Sequence, residues 1–260
     1  MTLLAVDIRN DHTILGLLDD SAVDAVVTDR WRVSSDVLRT SDEWAVLVRG
    51  LLGSHLPEID GVVVSAAVPA VLHEWRETLV GEFAGVPRVV VGPGARTGLP
   101  VQVDNPREVG TDRICNAVAL AAGTVPAIAV DFGLATTFDV VDAERRYIGG
   151  VIVPGIASSL EALGARGAQL RQVELVRPQT VVAKNTVAAL QSGVVFGTAS
   201  QVEGLVDRII SELGTDPGSV RVVATGQWAQ MVAQECQCFT EQDLDLTLRG
   251  LAIVFARNRG

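Results

Sequence analysis

At 260 residues the chain has room for two medium domains or one large one, with a core of useful size. Its formal net charge is −10 and no basic cluster interrupts it, which argues against nucleic acid as a partner, because phosphate contacts dominate that affinity. Apolar residues make up 48%, yet no run nears the roughly 18 residues of a membrane span, and the start carries no basic segment; a soluble cytoplasmic protein with no membrane partner is expected.

In chain order, Leu3–Ile8 and Thr13–Leu18 read as strands around a tight turn, with Ala25–Val33 as the third strand of a meander. Ser41 is placed to cap a helix running to about Leu52. Gly61–Ser65 reads as a buried strand, and Pro69 opens a helix to about Phe83, a position where proline is tolerated. Val89–Val91 is a further strand, stopped by Gly92-Pro93-Gly94. A polar connector from Thr97 to Arg107 leads into an Ala-rich helix, Ile114–Ala122.

The second half repeats this order. Strands fall near 126–131, 136–141 and 146–153, and a helix starts at about Ala157. A long helical stretch, Thr186–Leu213, carries Gly193 and Gly197 four residues apart, a spacing that predicts a close helix–helix contact. Val220–Ala224 is a strand, Thr225-Gly226 a turn, and Asp245–Asn258 an amphipathic helix. His55 and His73 fall in helical stretches without partners. Cys115, Cys236 and Cys238 form no disulfide framework, and Cys236-Gln237-Cys238 lacks the second Cys/His pair of a metal site.

Ala129-Val130-Asp131-Phe132-Gly133-Leu134-Ala135-Thr136-Thr137 is the organising stretch: a buried strand ending in a carboxylate, a Gly-containing turn, then two threonines. Backbone N–H groups in such a turn converge on anions, and the carboxylate can hold a neutralising cation. Near the N-terminus, Ala5-Val6-Asp7 to Thr13 echoes it, aligning Asp7 with Asp131 and Thr13 with Thr137. Three strands followed by alternating helix and strand, used twice, is the order of a duplicated actin-like α/β fold. The halves are expected at 1–118 and 119–260, with a nucleotide cleft between them and the terminal helix packing back across both.

The chain resembles the type III pantothenate kinases, of the superfamily that joins acetate and sugar kinases, Hsp70 and actin. The carriers are Asp7-x-x-Asn10-x-x-Thr13, Asp104-Asn105-Pro106, Val109-Gly110-Thr111-Asp112-Arg113-x-x-Asn116 and Asp131-Phe132-Gly133-x-Ala135-Thr136-Thr137. Gly149-Gly150-x-x-x-Pro154-Gly155, Lys184-Asn185-Thr186, Ala224-Thr225-Gly226 and Leu246-Thr247-Leu248-x-Gly250-Leu251 complete the set. The resemblance implies ATP-dependent phosphorylation of pantothenate at its primary hydroxyl, the first step towards coenzyme A, by a homodimer.

By the same resemblance, Asp7 serves the magnesium-bound phosphates with Asn10 and Thr13, and Asp131 a monovalent cation (K+ or NH4+). Gly133, Thr136, Thr137 and Gly226 line the nucleotide. Asp112 is the implied general base, and Arg113 and Gly110 hold substrate together with Thr186, which in the family reaches the neighbouring subunit. Taken alone, each Asp also suits a strand-end turn, and Asp112 also suits a helix N-cap.

Several positions depart from the family pattern. Arg9 stands where the first loop carries Gly, a steric cost if that residue needs positive φ. Asp11 replaces a hydroxyl residue; two like charges about 4 Å apart repel by roughly 4 kcal/mol at an effective dielectric near 20, unless Arg9 or magnesium neutralises them. Leu134, Gln227 and Val103 replace Thr, Gly and Tyr respectively. These changes keep two other readings open: a kinase of another small hydroxylated molecule, and a catalytically silent homologue with a binding role.

Overall fold

The computed structural model describes residues 1–20, 24–166 and 173–259, the side chains of 165 and 166 excepted. The chain divides into two compact units, residues 1–122 with 245–260, and residues 123–244.

The first unit opens with the meander β1 (Thr2–Ile8), β2 (His12–Leu18) and β3 (Val27–Ser34). There follow α1 (Ser41–Leu52), β4 (Ile59–Ala66), α2 (Pro69–Glu82), β5 (Arg88–Val90) and α3 (Thr111–Ala122). The sheet order is β3-β2-β1-β4-β5, with β4 and β5 parallel to β1. Alternation sends Leu4, Val6 and Ile8 of β1 to one face, where they pack with Trp44, Val48, Val71 and Trp75 of α1 and α2. Asp7 therefore lies on the other face.

Thr40, not Ser41, caps α1. Its hydroxyl accepts from the Glu43 N–H while the Glu43 carboxylate accepts from the Thr40 N–H, a reciprocal box that needs Glu at the third helical position. The Ser41 N–H instead donates to Glu74. α3 begins three residues before the expected Ile114, which brings Asp112 and Arg113 into its first turn. His55 lies in a 3₁₀ turn with its Nδ1 3.3 Å from Glu58, and so has a partner.

The second unit repeats the plan with β6 (Ala127–Phe132), β7 (Ala135–Val141), β8 (Tyr147–Pro154), α4 (Ile156–Arg166), α5 (Thr186–Leu213), β9 (Arg221–Thr225), the single-turn α6 (Ala229–Val232) and β10 (Glu241–Gln242). Read from the meander edge, its sheet is β8-β7-β6-β9-β10, the same order as in the first unit. Ile128, Val130, Phe132, Phe138 and Val140 face α5 through Ala199, Val202 and Val206. Cys236 and Cys238 pack against this cluster as free thiols, and among the described residues no group of His, Cys, Asp or Glu is arranged to hold a metal by itself.

The terminal helix α7 (Leu246–Asn258) and residues 119–122, assigned from sequence to the second half, group with the first unit. There α7 lies on the Asp7 face of the sheet. A Cβ on Gly16 would come within 2.6 Å of Leu248, one on Gly61 within 2.2 Å of Phe255, and one on Gly250 within 2.0 Å of the Cys115 carbonyl oxygen of α3. Bare backbone at those three places lets strand, helix and helix approach. Among the described residues no helix is long and apolar enough to cross a membrane.

Candidate active site

Asp7, next to last in β1, is fully buried. Its Oδ2 accepts from Arg9 Nε at 2.6 Å, while Oδ1 has no hydrogen-bond partner among the described residues. Arg9 Nη2 donates to Thr247 Oγ1 at 2.9 Å, and that hydroxyl donates to Asn116 Oδ1 at 2.7 Å. Arg9 is not at positive φ; Arg145 alone among the described non-glycine residues is. The turn therefore carries Arg without the expected strain, closed by the Arg9 N–H to the His12 carbonyl. Beside the turn, His12 Nδ1 lies 2.8 Å from Asp11 Oδ1.

The two turns are not equivalent residue for residue. In the first, Asp7 opposes Ile14 and Ile8 opposes Thr13; in the second, Asp131 opposes Thr137 and Phe132 opposes Thr136. Directly opposed residues share a face of the sheet. Thr13 thus matches Thr136, and it lies on the face away from Asp7, its Oγ1 2.8 Å from Ser35 Oγ. Asn10 is exposed at the tip of the turn.

The start of α3 is tied to the neighbouring strand. Thr111 Oγ1 lies 2.9 Å from Ser65 Oγ and accepts from the Ala66 N–H at 3.2 Å, and Ser65 pairs in register with Asp7. Asp112 and Arg113 follow, both half-buried, so the carboxylate sits in the first helical turn, where the helix dipole favours negative charge. A Cβ on Gly110 would come within 2.5 Å of Asp112 Oδ1, so glycine there leaves the carboxylate its position. One turn deeper, burial together with the negative charges of Asp7 and Asp112 pushes the Cys115 thiol well up, against the opposing charge of Arg9. That thiol is packed away and inert.

In the second unit Asp131 is 3% exposed at the end of β6. Gly226 follows β9 at φ +91°, and a Cβ there would fall 2.4 Å from Asp131 Oδ1 and 2.6 Å from the Phe132 nitrogen. Gly155 is equally constrained: a Cβ would meet the Leu134 and Gly133 carbonyl oxygens at 2.3 and 2.4 Å. Gly155 N–H and Ser158 Oγ both donate to the Leu134 carbonyl, which fixes the turn while the Leu134 side chain stays exposed. The Thr136 hydroxyl is buried without a partner among the described residues, and Thr137 is half-buried.

A family model described as type III pantothenate kinase matches residues 3–208. The chain belongs to the type III pantothenate kinase family. It is 60% identical to the type III pantothenate kinase of Nocardioides sp. over 99% of this chain and 100% of that one. It is 52% identical to the Streptomyces avermitilis enzyme over 98% of both. Among solved structures it is similar to the ethanolamine utilization protein EutJ from Carboxydothermus hydrogenoformans (14% identity, TM-score 0.55, 98% of this chain and 90% of that one). It is likewise similar to an inorganic polyphosphate/ATP-glucomannokinase from Arthrobacter sp. (14%, TM-score 0.50, 98% of both). At that identity the likeness concerns the fold, which is the expected duplicated actin-like α/β architecture.

The first unit thus brings Asp7, Gly110, Asp112 and Arg113 around the ends of β1 and β4. In the second, Thr137 and Gly226 stand beside Asp131, Gly133 follows in the turn, and Thr136 lies on the opposite face with Phe132. Thr186 stands apart from that turn in sequence, exposed at the first turn of α5, whose N-cap is Asn185 (Oδ1 to the Ala188 N–H, 2.9 Å). Sequence reasoning gave no part to Ser65, Thr247 or Asn116. Ser65 carries no motif signal, whereas the other two stand inside family segments.

Proposed function

We propose that this member of the type III pantothenate kinase family transfers the γ-phosphoryl group of ATP to the primary hydroxyl of pantothenate in the cytoplasm, opening the route to coenzyme A. The observation that carries the reading is the Gly110–Arg113 segment, fastened to β4 through Thr111 at the register position of Asp7. Asp112 accepts the hydroxyl proton as the oxygen attacks phosphorus, and ADP departs with the electrons of the broken P–O bond. Arg113 offers a fixed fork of donors to substrate or the moving phosphoryl group.

Magnesium fits Asp7 as a cation held by one carboxylate together with nucleotide phosphates: Oδ1 lacks a partner among the described residues, and no acidic cage is present among them. It would supply charge neutralisation on the phosphates. A monovalent cation, K+ or NH4+, is assigned to Asp131 by the resemblance, and the Gly226 backbone packs so closely on that carboxylate that a Cβ would stand 2.4 Å from its Oδ1. The resemblance assigns Asn10, Thr13, Gly133, Thr136 and Thr137 to the nucleotide. Asn10 at the exposed tip of the first turn and the Thr136 hydroxyl, bondless among the described residues, support that, while Thr13, buried against Ser35 on the face away from Asp7, shapes the turn from behind.

A homodimer is supported by the open surface of α5. Thr186 is exposed, and among the described residues nothing comes within 4 Å of a Cβ placed on Gly193 or Gly197, which leaves that stripe of the helix room for a close neighbour. A second copy seated there would bring Thr186 to its neighbour's substrate.

Pantothenate-dependent ADP release, measured with the purified protein and Asp112→Asn, tests the reading. The variant should keep its circular dichroism spectrum and melting temperature and lose about 10²–10⁴-fold in kcat. Parent turnover that is independent of pantothenate, or an Asp112→Asn enzyme within tenfold of the parent, would refute it.

A further inference from the structure

Three segments shared with the kinase family meet at one point of the first unit, and two of the residues that meet there, Asn116 and Thr247, have no part in the chemistry above. Asp7 belongs to the first turn, Asn116 to α3 and Thr247 to α7, and Arg9 joins them. Its Nε donates to Asp7 Oδ2 at 2.6 Å and its Nη2 to Thr247 Oγ1 at 2.9 Å. Thr247 spends its single proton on Asn116 Oδ1 at 2.7 Å, which keeps a lone pair for the guanidinium. Asp7 is fully buried, the Arg9 side chain 11% exposed, and Thr247 and Asn116 5% and 1% exposed.

Asn116 lies four residues after Asp112, one turn along the same face of α3. The network therefore runs from the carboxylate of the first turn to the helix that carries the proposed base. Packing of α7 on α3 does not need it: Gly250 already rests on the Cys115 carbonyl, and Leu251, Val254 and Phe255 are buried. A polar chain kept where apolar contacts suffice points to orientation of the groups at its ends. A guanidinium is suited to this, since its planar fork bonds two acceptors at a fixed angle, which an ammonium on a flexible stem does not.

We propose that Thr247 and Asn116 are positioning residues for phosphoryl transfer. They aim Arg9, Arg9 holds Asp7 by one oxygen, and the other oxygen stays available to the cation on the nucleotide phosphates. The Arg that departs from the family's glycine is thereby a working part of the first turn. This rests on the kinase reading above, and the test separates the two.

Thr247→Val removes the hydroxyl at constant shape, Thr247→Ser restores it, and Arg9→Lys keeps the charge without the fork. The readouts are Mg·ATP affinity by calorimetry, kcat, KM for each substrate, and melting temperature. Thr247→Val and Arg9→Lys should each weaken Mg·ATP binding about tenfold and lower kcat by a similar factor, with KM for pantothenate within about twofold. Thr247→Ser should return both within about twofold of the parent. Combining Thr247→Val with Arg9→Lys should add little to either alone, as expected for members of one chain.

Nucleotide affinity and kcat unchanged in Thr247→Val, no rescue by serine, or losses that multiply in the double variant would overturn the proposal. If Thr247→Val fails to fold, Arg9→Lys decides, and an Arg9→Lys enzyme equal to the parent overturns it. A parent that binds Mg·ATP but leaves pantothenate unphosphorylated refutes the substrate reading; calorimetry with the same variants then judges the network. A parent that binds no Mg·ATP overturns both.

Discussion

Gly226→Ala isolates what the turn after β9 asks of its residue. The backbone there has φ +91°, a conformation that costs a side-chain-bearing residue roughly 1–2 kcal/mol. The added Cβ would stand 2.4 Å from Asp131 Oδ1, 2.6 Å from the Phe132 nitrogen and 2.8 Å from its carbonyl oxygen. Two of those three atoms are backbone of a central strand and cannot swing aside, so a further 1–3 kcal/mol of overpacking is expected. The total, about 2–5 kcal/mol, corresponds to a fall in melting temperature of roughly 5–15 °C. Thermal unfolding followed by circular dichroism measures that loss, and titration of Mg·ATP with and without K+ reads the displaced Asp131. A Gly226→Ala protein melting within 2 °C of the parent with the same cation response would show that neither φ nor the approach to Asp131 constrains this turn.

Alanine at Gly193 and Gly197 separates chain stability from self-association. With open space at both, each substitution should add about 0.5–1 kcal/mol of helix stability to the chain by chemical denaturation. If α5 forms the dimer face, sedimentation should show weaker association at the same time; unchanged association would place the interface elsewhere. In the β7–β8 turn, burial tends to raise the Asp142 carboxyl, but the Arg146 guanidinium and the N–H groups of Arg146 and Glu144 hold it below the usual carboxylate value. A depressed value means stability that is present above about pH 4 and lost as pH falls through the lowered value. Asp142→Asn should therefore melt about 2–4 °C below the parent at pH 7, with the gap closing below about pH 4. A gap that is constant from pH 7 to pH 3 would refute the assignment.

Most elements were legible because their signals are local. The apolar run Leu3–Ile8, Pro69 at a helix start, and Asn185 ahead of a 28-residue helix each act within a few residues. The cap of α1 was misplaced by one residue, since Ser41 and Thr40 offer the same hydroxyl and only Glu43, three residues on from Thr40, distinguishes them. Site residues were legible only as types in family order. Ser65, which anchors the start of α3, had no signal, because its importance comes from standing beside Asp7 in a parallel pair.

What the chain determined by itself is the duplication: two runs of strand, turn, strand and strand, each with a carboxylate closing its first strand. Local periodicity and the repeated Asp suffice for that. Tertiary structure alone decided what the two turns do with it. The first connection, from Ile8 to Thr13, holds one residue more than that from Phe132 to Thr136, and a shift of one residue in an antiparallel pair sends a side chain to the opposite face. So Thr137 stays beside Asp131 while Thr13 turns away from Asp7. Arg9 reaches Asp7 and also Thr247, 238 residues away, because β1 and α7 are packed together. No sequence spacing carries that contact; only the burial of one face of the sheet under the last helix does.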